Sequence, residues 1–171
     1  MWTEGENVRR NFSELTCKNL IIKEGAMREV IVIKSSNIES IPLAAATGKE
    51  AGTMKRMVYP HTVGAEQLFF GIAEINPGYS PHRWHRHTYD KAAGYEAGYS
   101  KDFEGVYYII SGSGVAQWKM EDGEIKEIQV SAGDAIFFPP DVAEHQVLNN
   151  SNEKMVIAMC GSPPDHLRLL K

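Results

Sequence analysis

The chain has only two cysteines, Cys17 and Cys160, and neither belongs to a metal-binding or redox motif. Two thiols so far apart make no disulfide framework, so both read as free in a reducing cytoplasm. Cys160, between Ala158-Met159 and Gly161, reads as a small apolar core residue. No apolar run approaches the ~20 residues of a membrane-spanning helix. The opening Met1-Trp2-Thr3-Glu4-Gly5-Glu6 is acidic and lacks the apolar stretch of a signal peptide. Basic runs are missing as well: 18 Lys and Arg against 22 Asp and Glu leave a net charge of −4. That balance argues against nucleic acid or an anionic membrane as a partner. Fixed-period repeats and low-complexity segments are also missing. What remains is 171 residues, 43% hydrophobic, enough for one soluble domain with a full core.

The apolar pattern is that of strands. Residues 1–17 read as a polar arm, followed by two β-branched runs at 19–22 and 29–33. Residues 35–52 read as loop, with one helical turn at Ala44-Ala45-Ala46, and Met54–Tyr59 alternates weakly. From residue 66 the pattern becomes regular. Gln67–Ile75 is a long apolar strand closed by Asn76-Pro77-Gly78. Val106–Ile110, Val115–Met120, Ile125–Val130, Ala135–Phe138, His145–Asn149 and Met155–Met159 follow, with Glu121–Glu124 as a hairpin turn. Short strands with turn signals every 8–12 residues predict a sandwich or barrel of antiparallel strands. Residues 88–103, with Tyr89, Tyr95 and Tyr99, interrupt this rhythm as an aromatic insert.

The densest chemistry lies in His82-Arg83-Trp84-His85-Arg86-His87. His85 and His87 stand at i and i+2. On an extended strand that spacing puts both imidazoles on one face, ~7 Å apart along the backbone, with Trp84 and Arg86 turned away. Neutral imidazole is the commonest protein metal ligand. His82 reads as a rim residue, His61 as a loop histidine and His166 as part of the tail. His145, Val147 and Asn149 share a face of their own strand.

Three landmarks, in order, resemble the cupin superfamily. They are Pro77-Gly78 leading to His85-x-His87 and on to Tyr107–Gly114; the hairpin that follows; and Gly133-Asp134 leading through Pro139-Pro140-Asp141 to His145 and Asn149. The resemblance covers residues 66–160. It implies an all-β, double-stranded β-helix (jelly-roll) barrel, with residues 1–60 as an N-terminal extension whose strands pack on it and residues 61–171 as the barrel domain. It also implies a metal shell of His85, His87, a glutamate and His145. Glu104 is the candidate carboxylate, but Gly105 occupies the position where the family places it. A bulge would bring Glu104 to the inner face; the alternatives are Glu96 or Asp90 of the insert, or no carboxylate at all, in which case three histidines would still hold Zn(II) or Fe(II). The full shell suits Fe(II), Mn(II), Ni(II), Co(II) or Zn(II).

The expected function is that of a metal-dependent enzyme. Its substrate would be a small oxygenated molecule, a hydroxy- or keto-acid or a sugar, held in the barrel mouth. A phosphosugar isomerase, a dioxygenase and a non-catalytic small-ligand or metal-binding barrel are the alternatives. Tyr107, Tyr95 and Arg83 are the candidate catalytic and substrate-contacting residues, Arg83 for a carboxylate or phosphate. The insert 88–103 reads either as a lid or as an oligomer contact. A homodimer formed through residues 19–33 is expected, because cupins commonly pair by their N-terminal strands.

Overall fold

A computed structural model describes residues 30–43, 49–82, 84–87, 104–139 and 142–162. The described strands all belong to the compact unit Ile31–Lys171. The expected strand at 19–22, the turn at 44–46, Arg83, the insert 88–103 and the tail from 163 lie outside the described residues.

Nine strands and one short helix are described: β1 (Ile41–Pro42), β2 (Gly52–Val58), α1 (Pro60–Val63), β3 (Phe69–Ile75), β4 (Glu104–Ser111), β5 (Ser113–Lys119), β6 (Ile125–Ser131), β7 (Ala135–Phe138), β8 (His145–Leu148) and β9 (Met155–Ser162). They form a six-stranded sheet in the order β1-β2-β3-β9-β4-β7 and a three-stranded sheet in the order β6-β5-β8. Every ladder is antiparallel. Neighbours in a sheet are distant in sequence, β3 with β9 and β9 with β4, which is the jelly-roll connectivity expected of the fold.

Alternation of side chains decides what each strand buries. On β4, Gly105, Tyr107 and Ile109 are buried, while Glu104, Val106, Tyr108 and Ile110 are exposed. On β9 the inner set is Met155, Ile157, Met159 and Gly161. These residues join Met54, Ala73, Ile75, Val147 and Phe138 in one core. At the far end of the core, Asn149 is fully buried and satisfied. Its amide donates to the carbonyls of Ile75 and Glu153 and its oxygen accepts from Ser151. It ties β8 to β3 and closes that end of the barrel.

Two expectations about strands are corrected. Of residues 29–33, the described part, 30–33, forms no strand, and Ile31 and Val32 are 58% and 79% exposed. High β-propensity without a partner does not make a strand. The strands that flank β3 on its N-terminal side are β2, which pairs with β3, and β1, which pairs with β2. Cys160, expected in the core, is a half-buried free thiol: on β9 it falls on the face opposite Met159 and Gly161.

Candidate metal centre

The histidine segment is extended but is not a regular strand; one bridge holds it. His85 and His145 exchange two backbone hydrogen bonds, N–H of His85 to the carbonyl of His145 at 3.2 Å and the reverse at 3.0 Å. Residues in such an antiparallel pair project their side chains to the same face, and the two rings stand 4.4 Å apart. On its other side His145 pairs with Trp118 of β5. Lys119 clamps this junction. Its ammonium meets the Glu144 carboxylate at 2.6 Å and lies 4.7 Å from the centroid of the Trp84 ring. The residues before His85 and before His145 are thus held by one side chain.

His87, two residues beyond the bridge, turns back into the barrel. It is 1% exposed and His145 is 2% exposed. The ring centroids are 5.4 Å apart for His85 and His87 and 4.7 Å for His87 and His145. One nitrogen from each of the three imidazoles lies within 4.8 Å of the other two. Three nitrogens no more than 4.8 Å apart can gather around one ion at the ~2 Å reach of a zinc–imidazole bond once small ring rotations bring them closer.

Protonation supports the same reading. The Nδ1 of His145 lies 3.0 Å from the carbonyl oxygen of Ala143. A carbonyl only accepts, so Nδ1 carries the proton and Nε2 keeps its lone pair. Nε2 is buried and has no hydrogen-bond partner. Burial, and next the neighbouring His85, push the His145 pKa down to about 4, against a smaller opposing effect of the Ala143 hydrogen bond. Near neutral pH this ring is uncharged, which is the form that binds a cation.

Phe138 backs the cluster. Its ring stacks on His145 at 4.4 Å and 22° and meets His87 edge-on at 5.5 Å. Tyr107 packs against the same ring at 4.9 Å. Of the two adjacent tyrosines, Tyr107 points inward at 6% exposure and Tyr108 points outward. His82, expected on the rim, stands 5.2 Å from His85 and 6.4 Å from Tyr107, beside the centre.

Glu104 does not join the imidazoles. It is exposed, on the outer face of β4. The bulge that would have turned it inward falls between Ile109 and Ser111, too far along the strand. Gly105 takes the inward position, in register with Gly161 on one side and Phe138 on the other. Among the described residues the cluster is therefore three histidines without a carboxylate. Tyr95, Arg83, Glu96 and Asp90 lie outside the described residues. One inward residue on β2, Arg56, was not anticipated; the weak alternation of 54–59 gave little signal for it.

No protein-family model and no curated protein sequence matches the chain. Solved structures do match it in shape. A predicted oxalate decarboxylase from Thermotoga maritima aligns over 77% of this chain and 98% of its own, with 21% identity and a TM-score of 0.54. A protein provisionally assigned as a sugar phosphate isomerase, from Acidithiobacillus ferrooxidans, aligns over 76% of this chain and 71% of its own, with 19% identity and a TM-score of 0.52. A single-residue mutant of the oxalate decarboxylase of Bacillus subtilis aligns over 71% of this chain and 28% of its own, with 19% identity and a TM-score of 0.50. These are cupin barrels, and the order of sequence landmarks and the sheet topology agree with them. The chain is a cupin-fold protein.

Proposed function

We propose that the protein is a metal-dependent enzyme acting on a small oxygenated substrate, a hydroxy- or keto-acid or a sugar, bound at His85, His87 and His145. The observation that carries this reading is the convergence of three imidazole nitrogens within 4.8 Å, drawn from two segments far apart in the chain. The buried, unbonded Nε2 of His145 offers its lone pair to a cation, and leaving such an acceptor unsatisfied costs ~1–3 kcal/mol. Three neutral imidazole donors suit Zn(II), Fe(II), Ni(II) or Co(II), with Mn(II) less favoured by the lack of a carboxylate among the described residues. When bound, the metal supplies Lewis acidity or oxygen activation to a substrate oxygen.

The chain's own residues do the positioning. Ala143 fixes the tautomer of His145, Phe138 fixes its plane, and the His85–His145 bridge sets the separation of the two segments. Tyr107 lies beside His82 on the inner face, and we keep it as a proposed contact for a substrate hydroxyl. Arg83 and Tyr95 remain proposed substrate contacts. The names of the Thermotoga and Acidithiobacillus proteins supply the two substrate classes this reading keeps, small acids and sugars. No helix of the described residues is long and apolar enough to cross a membrane. With its two thiols read as free, we place the protein in the cytoplasm. We also propose a homodimer through residues 19–33; a monomer in sedimentation would remove it.

The test is elemental analysis of the purified protein, then oxygen consumption and product detection with a panel of small acids and sugars. Stoichiometric metal with turnover of a panel member is the expected result. A chain that takes up no divalent metal sinks the proposal. Stoichiometric metal without turnover of any member leaves a binding module in place of an enzyme.

A further inference from the structure

The inner face of the large sheet carries a charged side chain that the imidazole cluster does not use. Arg56 is in register with Gly71, Gly71 with Met159, and Met159 with Tyr107. The pleat puts all four on one face, and the last three are buried there. Gly71 leaves this row open. Tyr59 fills part of the gap, its hydroxyl 3.6 Å from where a Cβ on Gly71 would sit. The Arg56 guanidinium carbon stands 5.6 Å from the centroid of the Tyr59 ring. The next row toward the mouth runs Phe69, Gly161, Gly105, Phe138, and Phe138 is the ring stacked on His145. Arg56 and the imidazoles therefore belong to the same end of the barrel.

The Nε of Arg56 is buried and has no hydrogen-bond partner. Among the described residues no carboxylate forms an ion pair with this arginine. A shielded guanidinium N–H left unsatisfied is costly, and the partner that matches its fork is a carboxylate or a phosphate. The charge is also felt nearby: the His61 pKa is lowered first by burial and then by Arg56.

We propose that Arg56 is the second anchor of the ligand site. It holds the distal anionic group, carboxylate or phosphate, of a small substrate whose other end sits at His85, His87 and His145. The assignment rests on the metal-centre reading above and narrows its substrate class to anions with a second charged end. Three strand spacings, ~14 Å, separate the Arg56 and Tyr107 backbones, so a ligand bridging the two ends is a small extended molecule.

Calorimetry on zinc-loaded protein tests this with two probe pairs that differ in their distal anion: pyruvate against 2-oxoglutarate, and ribose against ribose 5-phosphate. The wild type is expected to favour the doubly anchored member of one pair by about tenfold or more, and that pair tells carboxylate from phosphate. Arg56→Gln should erase the preference while metal content and pyruvate affinity stay unchanged, and Arg56→Lys should restore part of it. No preference in the metal-loaded wild type, or the same preference in Arg56→Gln, overturns the assignment and leaves the metal centre standing. Should the wild type take up no metal, the centre itself fails. The Arg56 assignment is then decided in metal-free protein by NMR titration with 2-oxoglutarate and ribose 5-phosphate: shifts lost in Arg56→Gln retain it as an anion site, and equal shifts or none overturn it.

Discussion

The Nδ1 of His145 and the carbonyl oxygen of Ala143 are 3.0 Å apart, and this contact decides which nitrogen of the ring faces the cluster. The first prediction follows from it. Replacing His145 by Ala should reduce bound metal to background while the far-ultraviolet circular dichroism of the barrel persists, and His85→Ala and His87→Ala should do the same. His145→Asn keeps a polar group near Ala143 but cannot reach the centre through Nε2, so it too should lose the metal. Full metal occupancy in any of the three alanine variants, read by elemental analysis, would remove the site.

The second prediction concerns acid. The His145 pKa is pushed down to about 4 from an ordinary value of 6.5, so the unfolded chain binds this proton more readily than the folded one. Stability from this residue is complete above pH 6.5 and is lost as the pH falls through about 4. The shift sets a ceiling of about 3 kcal/mol. Denaturant unfolding of the metal-free protein should therefore weaken across that window, and His145→Gln, which does not titrate, should flatten the curve there. An equally steep pH dependence in the variant would assign the effect to other groups.

The third prediction separates the structure from the family pattern. Glu104 is exposed on the outer face of β4, so Glu104→Gln should leave metal affinity within about twofold, well under the 10–100-fold expected even for an outer-shell partner. A loss of 100-fold or more by competitive chelation would place the carboxylate at the metal after all.

These outcomes mark what could be read from the residues. The pairing of His85 with His87 was legible because i, i+2 spacing is local, and His145 because the turn before it and Asn149 after it fix its place. The phase of β4 was not legible. Whether Glu104 or Gly105 points inward depends on the ladder to β9 and on where its bulge falls, and both are long-range. Arg56 escaped for a related reason. Lys55 and Arg56 look alike in sequence, but the register with Ile72 and Gly71 sends one outward and the other inward, just before a bulge. Residues 30–33 failed the other way: their composition favours a strand, but no described strand pairs with them.

The fourth prediction concerns the ladder between β9 and β4. A Cβ on Gly161 would overlap the Phe69 ring and come within 2.9 Å of the Glu104 carbonyl oxygen. The ring can swing aside but the backbone cannot. Gly161→Ala should therefore cost about 1–3 kcal/mol, in the range of an overpacked core. A melting temperature equal to the wild type would show that β9 and β4 separate more easily than their shared ladder suggests.

The last prediction tests whether Phe138 acts on the metal or only on the core. Its ring is 4% exposed, stacks on His145 and touches His87 and Tyr107 edge-on, so Phe138→Ala should cost about 3–5 kcal/mol as a cavity mutation. A purely packing role would leave the stabilisation by zinc unchanged, since metal linkage depends only on affinity for the folded state. A role in holding the imidazole plane should weaken zinc binding by roughly the 10–100-fold seen when supporting residues are removed, and shrink the thermal shift on zinc addition. Phe138→Leu fills most of the volume without the flat face, so it should recover much of the stability and little of the affinity. If Leu restores both together, the stacking contact has no separate part in positioning His145.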